Sequence, residues 1–304
     1  MSVAPLSWQA GSVDVKGVKI AYDVAGEDTA GTMLLIMGLA TQCIFWPDEF
    51  CGALVERGYR VVRFDNRDIG LSGSVNRGVP VRITRDFLKS RIRLKIESNY
   101  TLFDMVGDTL GLLDHLAIDR AHVVGISLGG IIGQMLAADH PRRVRTLSLI
   151  MSHTNHSLFG APHPRVLLAM GPPPAQATRE EVIARNVSLF QTLGSPAYRR
   201  TDEELRHAFS VAYDRDHRTD GMERQTHALF ATPCIDEMLG RIRAPTHVMH
   251  GLADLLVLPI NAKRIAGRIP NARLTTFAGM GHDFPRALLP QWAQLIVDNA
   301  ERPH

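Results

Sequence analysis

Short, continuous apolar runs recur along the chain, with helical stretches between most of them, and this alternation constrains the fold more than any other feature. The runs are residues 32–37 (TMLLIM), 60–64 (RVVRF), 121–126 (AHVVGI), 144–150 (VRTLSLI), 246–250 (THVMH) and 273–277 (RLTTF). Unbroken runs of this kind suit strands covered on both faces of a sheet. Between them, helices are predicted over 48–57 (closed by Gly58), from 102, over 129–139 (ending before Pro141), over 260–269 and over 288–299. The helix from 102 carries apolar residues at Leu102, Met105, Val106, Leu110, Leu113 and Leu116, and Thr101 with Asp104 forms a capping-box variant at its start. Two short strands flank the Lys16-Gly17 turn, and residues 65–100 read as a loop-rich insertion. Strands alternating with helices predict an α/β fold with a mostly parallel sheet.

The alternation stops between 152 and 240. That block has no strand-like run, contains Pro172-Pro173-Pro174, and shows helical stretches at 180–193, 203–213 and 222–230. It reads as an excursion from the sheet, so residues 1–151 and 241–304 are expected to form the core and 152–240 a separate helical unit. A chain of 304 residues buries enough surface to need neither disulfides nor metals. Its formal charge of +3 is too small to indicate a nucleic-acid or membrane-surface protein. Locally, 77–95 holds seven Lys/Arg against the single acid Asp86; a solvated basic face or a site for an acidic partner would both explain it. Cys43, Cys51 and Cys234 lack metal-site spacing and suggest free thiols in a reducing compartment. With no signal-peptide pattern at 1–10 and no membrane-length apolar run, a cytoplasmic location is expected.

The chemistry-bearing motif is Gly125-Ile126-Ser127-Leu128-Gly129, set between a predicted strand and a predicted helix. A tight strand-to-helix turn lifts one hydroxyl above the sheet edge, and flanking small residues let strand and helix approach. The helix start aims unpaired N–H groups at any negative charge forming near Ser127. A serine needs a base. His282, in Gly279-Met280-Gly281-His282, follows the strand ending at Phe277. The carboxylate that orients the imidazole is expected at Asp254, just after the strand at 246–250. Asp283 is a poorer choice because it adjoins His282, and Asp236 and Glu237 precede the strand. Two N–H donors should hold an oxyanion: Leu128, and Leu39 in preference to Ala40 in the turn after TMLLIM. Metal catalysis is disfavoured. His247 and His250 fall on opposite faces of a strand, and His153, His156 and His163 have no carboxylate at ligand spacing. No phosphate loop or dinucleotide fingerprint is present, so no cofactor and no metal are expected.

These segments resemble the α/β-hydrolases, and within them the cofactor-free esterases similar to aclacinomycin methylesterase. The resemblance is carried by Met37-Gly38-Leu39, Trp46-Pro47-Asp48-Glu49-Phe50, the stretch from Phe64 to Ser72 (FDNRDIGLS), the serine turn, Gly251 to Asp254 and Gly279 to Phe284. It implies an eight-stranded, mostly parallel sheet flanked by helices, with 152–240 as an inserted helical cap. The order Ser127, Asp254, His282 suits that family. It further implies a serine carboxylic-ester hydrolase working through an acyl-enzyme on small to medium uncharged esters and water. Lactone, methyl-ester or carbon–carbon bond hydrolysis and cofactor-free perhydrolysis would use the same three residues. A binding protein that reuses the fold without turnover would usually lack one of them. One departure stands out: Met37 occupies a position where many members carry histidine before the oxyanion donor. Asp65 and Arg67 are expected to brace loops. The substrate pocket is expected between sheet edge and cap, lined by Ile44, Trp46, Leu158 and Met170 beside Leu39 and Leu128. A monomer or a homodimer is compatible with all of this, and no nucleic-acid or membrane partner is expected.

Overall fold

Eight strands form one sheet: β1 (Gln9–Val15), β2 (Val18–Ala25), β3 (Gly31–Ile36), β4 (Tyr59–Phe64), β5 (Ala121–Ile126), β6 (Val144–Ile150), β7 (Thr246–Gly251) and β8 (Arg273–Phe277). They lie in the order β1-β2-β4-β3-β5-β6-β7-β8. The pairs β1/β2 and β2/β4 are antiparallel and all others parallel. The structure, a computed structural model, describes residues 6–170, 177–218 and 220–303. Residues 1–5 and Pro172-Pro173-Pro174 lie outside them.

The apolar runs are buried on both faces, and alternate side chains sort into two cores. Met33, Leu35, Val124, Ile126, Ile150 and Met249 face α1 (Asp48–Val55) and α10 (Leu289–Ala300), packing with Phe50, Leu54, Trp292 and Ile296. Leu34, Ile36, Val123, Leu147, Leu149 and Val248 face the opposite way. They pack with helices α3 (Leu102–His115), α4 (Leu128–Asp139) and α9 (Ile260–Ala266). Helix α3 opens with the predicted capping box of Thr101 and Asp104.

Two helices escape the sequence pattern. One is α2 (Ile83–Arg91), inside the stretch read as loop-rich. Its buried contacts are not an apolar stripe: Asp86 is fully buried, with its Oδ2 3.0 Å from His227 Nε2. The other is the short α5 (Pro164–Ala169). It belongs to the segment between β6 and β7, with α6 (Arg179–Leu193), α7 (Asp202–Arg215) and α8 (Asp220–Ala231). Helices α6 and α7 carry capping boxes at Thr178/Glu181 and Thr201/Glu204 and share a small core of Ile183, Val187, Leu205 and Phe209. Among the described residues no helix is long and apolar enough to cross a membrane.

The order of strands places the site. From β3 the chain moves outward to β4, then returns to the other side of β3 as β5. The loops leaving the carboxyl ends of β3 and β5 therefore diverge and open a crevice, the place where open α/β sheets hold ligands.

The stretch after β4 supplies the bracing. Arg67 makes two hydrogen bonds to Asp108 of α3, at 2.6 and 2.7 Å, with both side chains almost fully buried. Asp65 accepts from the Cys43 amide, the Leu71 amide and Arg215 of α7. Asp68 accepts from both Nε and Nη2 of Arg224 of α8. Breaking a buried pair from one side strands a charge, whereas replacing both partners with apolar groups does not. Arg67→Met should therefore lower unfolding free energy by about 3 kcal/mol or more in urea titrations. Arg67→Met with Asp108→Leu should recover most of that loss; a double variant as weak as the single one would refute the bracing role.

Candidate active site

Ser127 sits at the end of β5 with φ +52° and ψ −118°. That backbone region is sparsely populated for a residue with a side chain and costs roughly 1–3 kcal/mol. The surroundings enforce it. The Ser127 amide donates to Ile150 O at 2.9 Å, and its carbonyl accepts from the Gly130 amide at 3.0 Å and from Ser152 Oγ at 2.8 Å. The two glycines of the motif are needed for clearance. A Cβ on Gly125 would lie 2.4 Å from Gly129 O, and one on Gly129 would lie 2.1 Å from Ile36 O. Strand β5, helix α4 and the end of β3 are thus pressed together, and the serine side chain is forced out at their junction.

His282 and Asp254 arrive from the next strands along. His282 Nε2 lies 3.1 Å from Ser127 Oγ, and His282 Nδ1 lies 2.7 Å from Asp254 Oδ2. The carboxylate leaves Nδ1 as the donor and Nε2 free to accept from the serine hydroxyl. Asp254 is buried, and its other oxygen accepts from the Leu256 and Val257 amides at 2.9 and 2.8 Å. Burial by itself would push this carboxyl up. The attraction of His282 and hydrogen bonds from His250 and His282 outweigh burial and hold it far below the usual carboxylate range. These three side chains, 28 and 155 residues apart along the chain, form one hydrogen-bonded line.

The histidine loop is held from the inserted segment. The His282 amide donates to Leu193 O at 2.7 Å, and the Gly281 amide donates to Ser195 Oγ at 2.8 Å. Ser195 Oγ in turn donates to Asp283. Asp283 thus turns away from His282 and braces its loop. Burial raises the Asp283 carboxyl, although the Ser195 bonds oppose this.

The Leu39 and Leu128 amides have no partner among the described residues. The Ala40 amide is taken: it donates to Gln225 Oε1 of α8 at 2.8 Å. Asn66 Nδ2 donates to Met37 O at 3.0 Å, so the turn after β3 is supported from the loop after β4. A Cβ on Gly38 of that turn would come within 3.3 Å of Ser127 Cβ. A hydroxyl next to a base, with free N–H groups alongside, can attack a carbonyl and stabilise the oxyanion that forms.

The four residues expected to line a pocket differ widely in exposure. Trp46 is sealed in the core, stacked on Phe50 and edge-on to Phe284. Ile44 is half-buried. Leu158 is 73 % exposed and Met170 42 % exposed. Leu158 and Met170 belong to the segment between β6 and β7, and where its helices lie is not encoded in apolar pattern. Of the other residues singled out, Asp236 is committed to Thr154 and Arg264. His247 meets Thr275, and His250 donates to Val257 O. All three cysteines are unbridged, and burial pushes the Cys51 thiol up to about 12. Among the described residues no three His, Cys, Asp or Glu side chains cluster as a metal site would require.

From the sequence, His153 is a candidate for metal ligation alone. It follows Ser152, whose hydroxyl holds the Ser127 carbonyl. Ile126 pairs with Ile150, so residues just beyond β6 leave the sheet beside Ser127; that register was the available signal. Burial, then repulsion from His282, pushes His153 down to about 4.

A model of the alpha/beta hydrolase fold matches residues 31–285 of the chain. Rhodomycin D methylesterase DnrP of Streptomyces peucetius is 29 % identical over 284 residues, covering 86 % of this chain and 88 % of that one. The enol-lactonase of Burkholderia xenovorans superposes with a TM-score of 0.71 at 22 % identity, covering 96 % of this chain and 100 % of that one. A meta-cleavage product hydrolase of Pseudomonas fluorescens gives 0.71 at 21 % identity, with 95 % and 96 % covered. The last two likenesses bear on the fold alone.

A histidine kept neutral by burial makes stability depend on pH. Unfolded, His153 titrates near 6.5; folded, near 4. Between those values the unfolded chain binds more protons, so stability falls as pH falls through this window. The His153 contribution amounts to about 1.4 kcal/mol per pH unit. Between pH 7.5 and 4.5 the parent should therefore lose about 2–3 kcal/mol more than His153→Gln in urea titrations. Equal losses would show that His153 is not held neutral.

Proposed function

The chain belongs to the alpha/beta hydrolase fold family, and we propose that it hydrolyses carboxylic esters through Ser127, His282 and Asp254 by way of an acyl-enzyme. The observation that carries this reading is the line from Ser127 Oγ through the His282 ring to Asp254, at 3.1 and 2.7 Å, with the serine on a strained turn. His282 Nε2 takes the hydroxyl proton as Ser127 Oγ bonds to the ester carbonyl carbon. The Leu128 and Leu39 amides hold the oxyanion, each worth roughly 3 kcal/mol of barrier in comparable sites. Collapse breaks the bond to the alcohol, which leaves with the proton from His282. Water then gives a proton to His282 and attacks the acyl carbon, and Ser127 departs carrying that proton. Asp254 keeps the ring oriented and stabilises the imidazolium throughout. No cofactor or metal is required by this route.

The segment 152–240 acts as a cap on a core of 1–151 and 241–304. Several bonds support this: Leu193 and Ser195 to the His282 loop, Gln225 to Ala40, and the buried pairs Asp65–Arg215 and Asp68–Arg224. An alkyl ester, as in the methylesterase relative, is the substrate class favoured. Lactone and carbon–carbon bond hydrolysis would use the same machinery.

Ser127→Ala should cut turnover of a short nitrophenyl ester by several orders of magnitude while leaving the urea midpoint close to that of the parent. A fluorophosphonate probe should label the parent at Ser127 and leave the variant unlabelled. Near-parent turnover in the variant would refute the nucleophile, and an unlabelled parent would favour a non-catalytic binding protein.

A further inference from the structure

The basic stretch 77–95 takes no part in the reaction described above, and its outward face is not that of an ordinary solvated helix. Helix α2 packs on α8 through Phe87, whose ring centroid lies 5.7 Å from that of Phe230, and through Asp86, beside His227. Helical spacing sets Arg85, Leu88 and Ile92 directly opposite that pair, with Lys89 along one flank and Arg91 along the other. Leu88 is 60 % exposed and Ile92, one turn further on, 68 % exposed.

The helix closes in a Schellman turn: the Leu94 amide donates to Lys89 O at 2.9 Å, and the Arg93 amide to Ser90 O at 3.3 Å. Such a closure folds the residue at the position of Leu94 back toward the one at the position of Leu88. Leu94 is itself 54 % exposed. The turn also demands a left-handed residue, and Arg93 takes φ +58° there. Glycine is the usual occupant, because a side chain strains that backbone. The chain thus keeps a cation where glycine would fold more readily.

Around the three aliphatic side chains stand Arg82, Arg85, Lys89, Arg91, Arg93 and Lys95. Arg85 pairs with the buried Asp86. Among the described residues, none of the other five has a carboxylate at ion-pair distance. Glu97, exposed beyond the turn, is the next acid along the chain. A solvated face gains nothing from aliphatic residues, and a polyanion such as DNA gives them nothing to pack on. A bilayer serves both kinds of side chain. Its acyl boundary takes the aliphatic groups, and its anionic headgroups take the cations, whose long stems keep the charge at the surface.

We propose that α2 and the turn after it form a membrane-docking surface, seating Leu88, Ile92 and Leu94 in the interface of an anionic phospholipid bilayer. The expectation of no membrane partner rested on the whole-chain charge of +3, which conceals this local excess. Docking of this kind needs no spanning segment and is independent of the hydrolase reading.

The test is cosedimentation of the intact chain, at low ionic strength, with two kinds of vesicle: phosphatidylcholine alone, and an equal mixture of phosphatidylcholine and phosphatidylglycerol. Affinity for the mixed vesicles should be tenfold or more higher, and should fall as salt is added. Leu88→Gln with Ile92→Gln should lower it tenfold or more. Leu274→Gln, which alters an exposed leucine on the edge strand β8, should leave it within twofold. Arg93→Gly separates docking from folding: relief of the left-handed arginine should raise the urea midpoint while vesicle affinity falls threefold or more. Binding to neither vesicle, equal binding to both, or mixed-vesicle binding that survives the double glutamine variant would overturn the proposal. So would duplex DNA bound as tightly as the mixed vesicles, with no loss in that variant, since the face would then be a general polyanion patch.

Discussion

A serine held at φ +52° and ψ −118° at the end of a buried strand is the constraint on which the rest of the structure hangs. That conformation persists only where neighbouring contacts over-determine it. Here they come from three directions: the Ile150 carbonyl, the Ser152 hydroxyl, and the backbone of β3 pressed against Gly129. Each depends on the parallel register of β3, β5 and β6. Shifting one strand would remove the hydrogen bonds and open the clearance together. The two-faced burial of the central strands is therefore what aims the hydroxyl, since only a sheet fixed by cores on both sides holds register closely enough.

The other two members of the line are positioned differently. Asp254 is fixed by two amides of its own loop. His282 is fixed from outside the sheet, by Leu193 and by the Ser195–Asp283 pair. The inserted helices therefore do more than cover the sheet edge: they hold the loop that carries the base. The same helices are clamped to the loop after β4 by Arg215 on Asp65 and Arg224 on Asp68. Buried pairs of this kind add little net stability but specify geometry sharply, because either charge left alone is costly.

The sheet and the Ser127–His282–Asp254 line were legible in the sequence because each rests on local signals: an apolar run, a strand end, and glycines beside the functional residue. The contacts that were not legible join segments with no pattern linking them. Gln225 on the Ala40 amide spans 185 positions, and Ser195 on Asp283 spans 88. Helix α2 was missed because it buries Asp86 against His227, a polar contact invisible to hydrophobic periodicity. The lining of the substrate space depends on where four inserted helices settle. Trp46, chosen for its apolar bulk, went into the core, while Leu158 went to the surface.

The two histidines beside the serine have to differ in character for the chemistry proposed. His282 becomes an imidazolium during the reaction, and a second positive ring next to it would oppose that step. Burial prevents this by keeping His153 neutral.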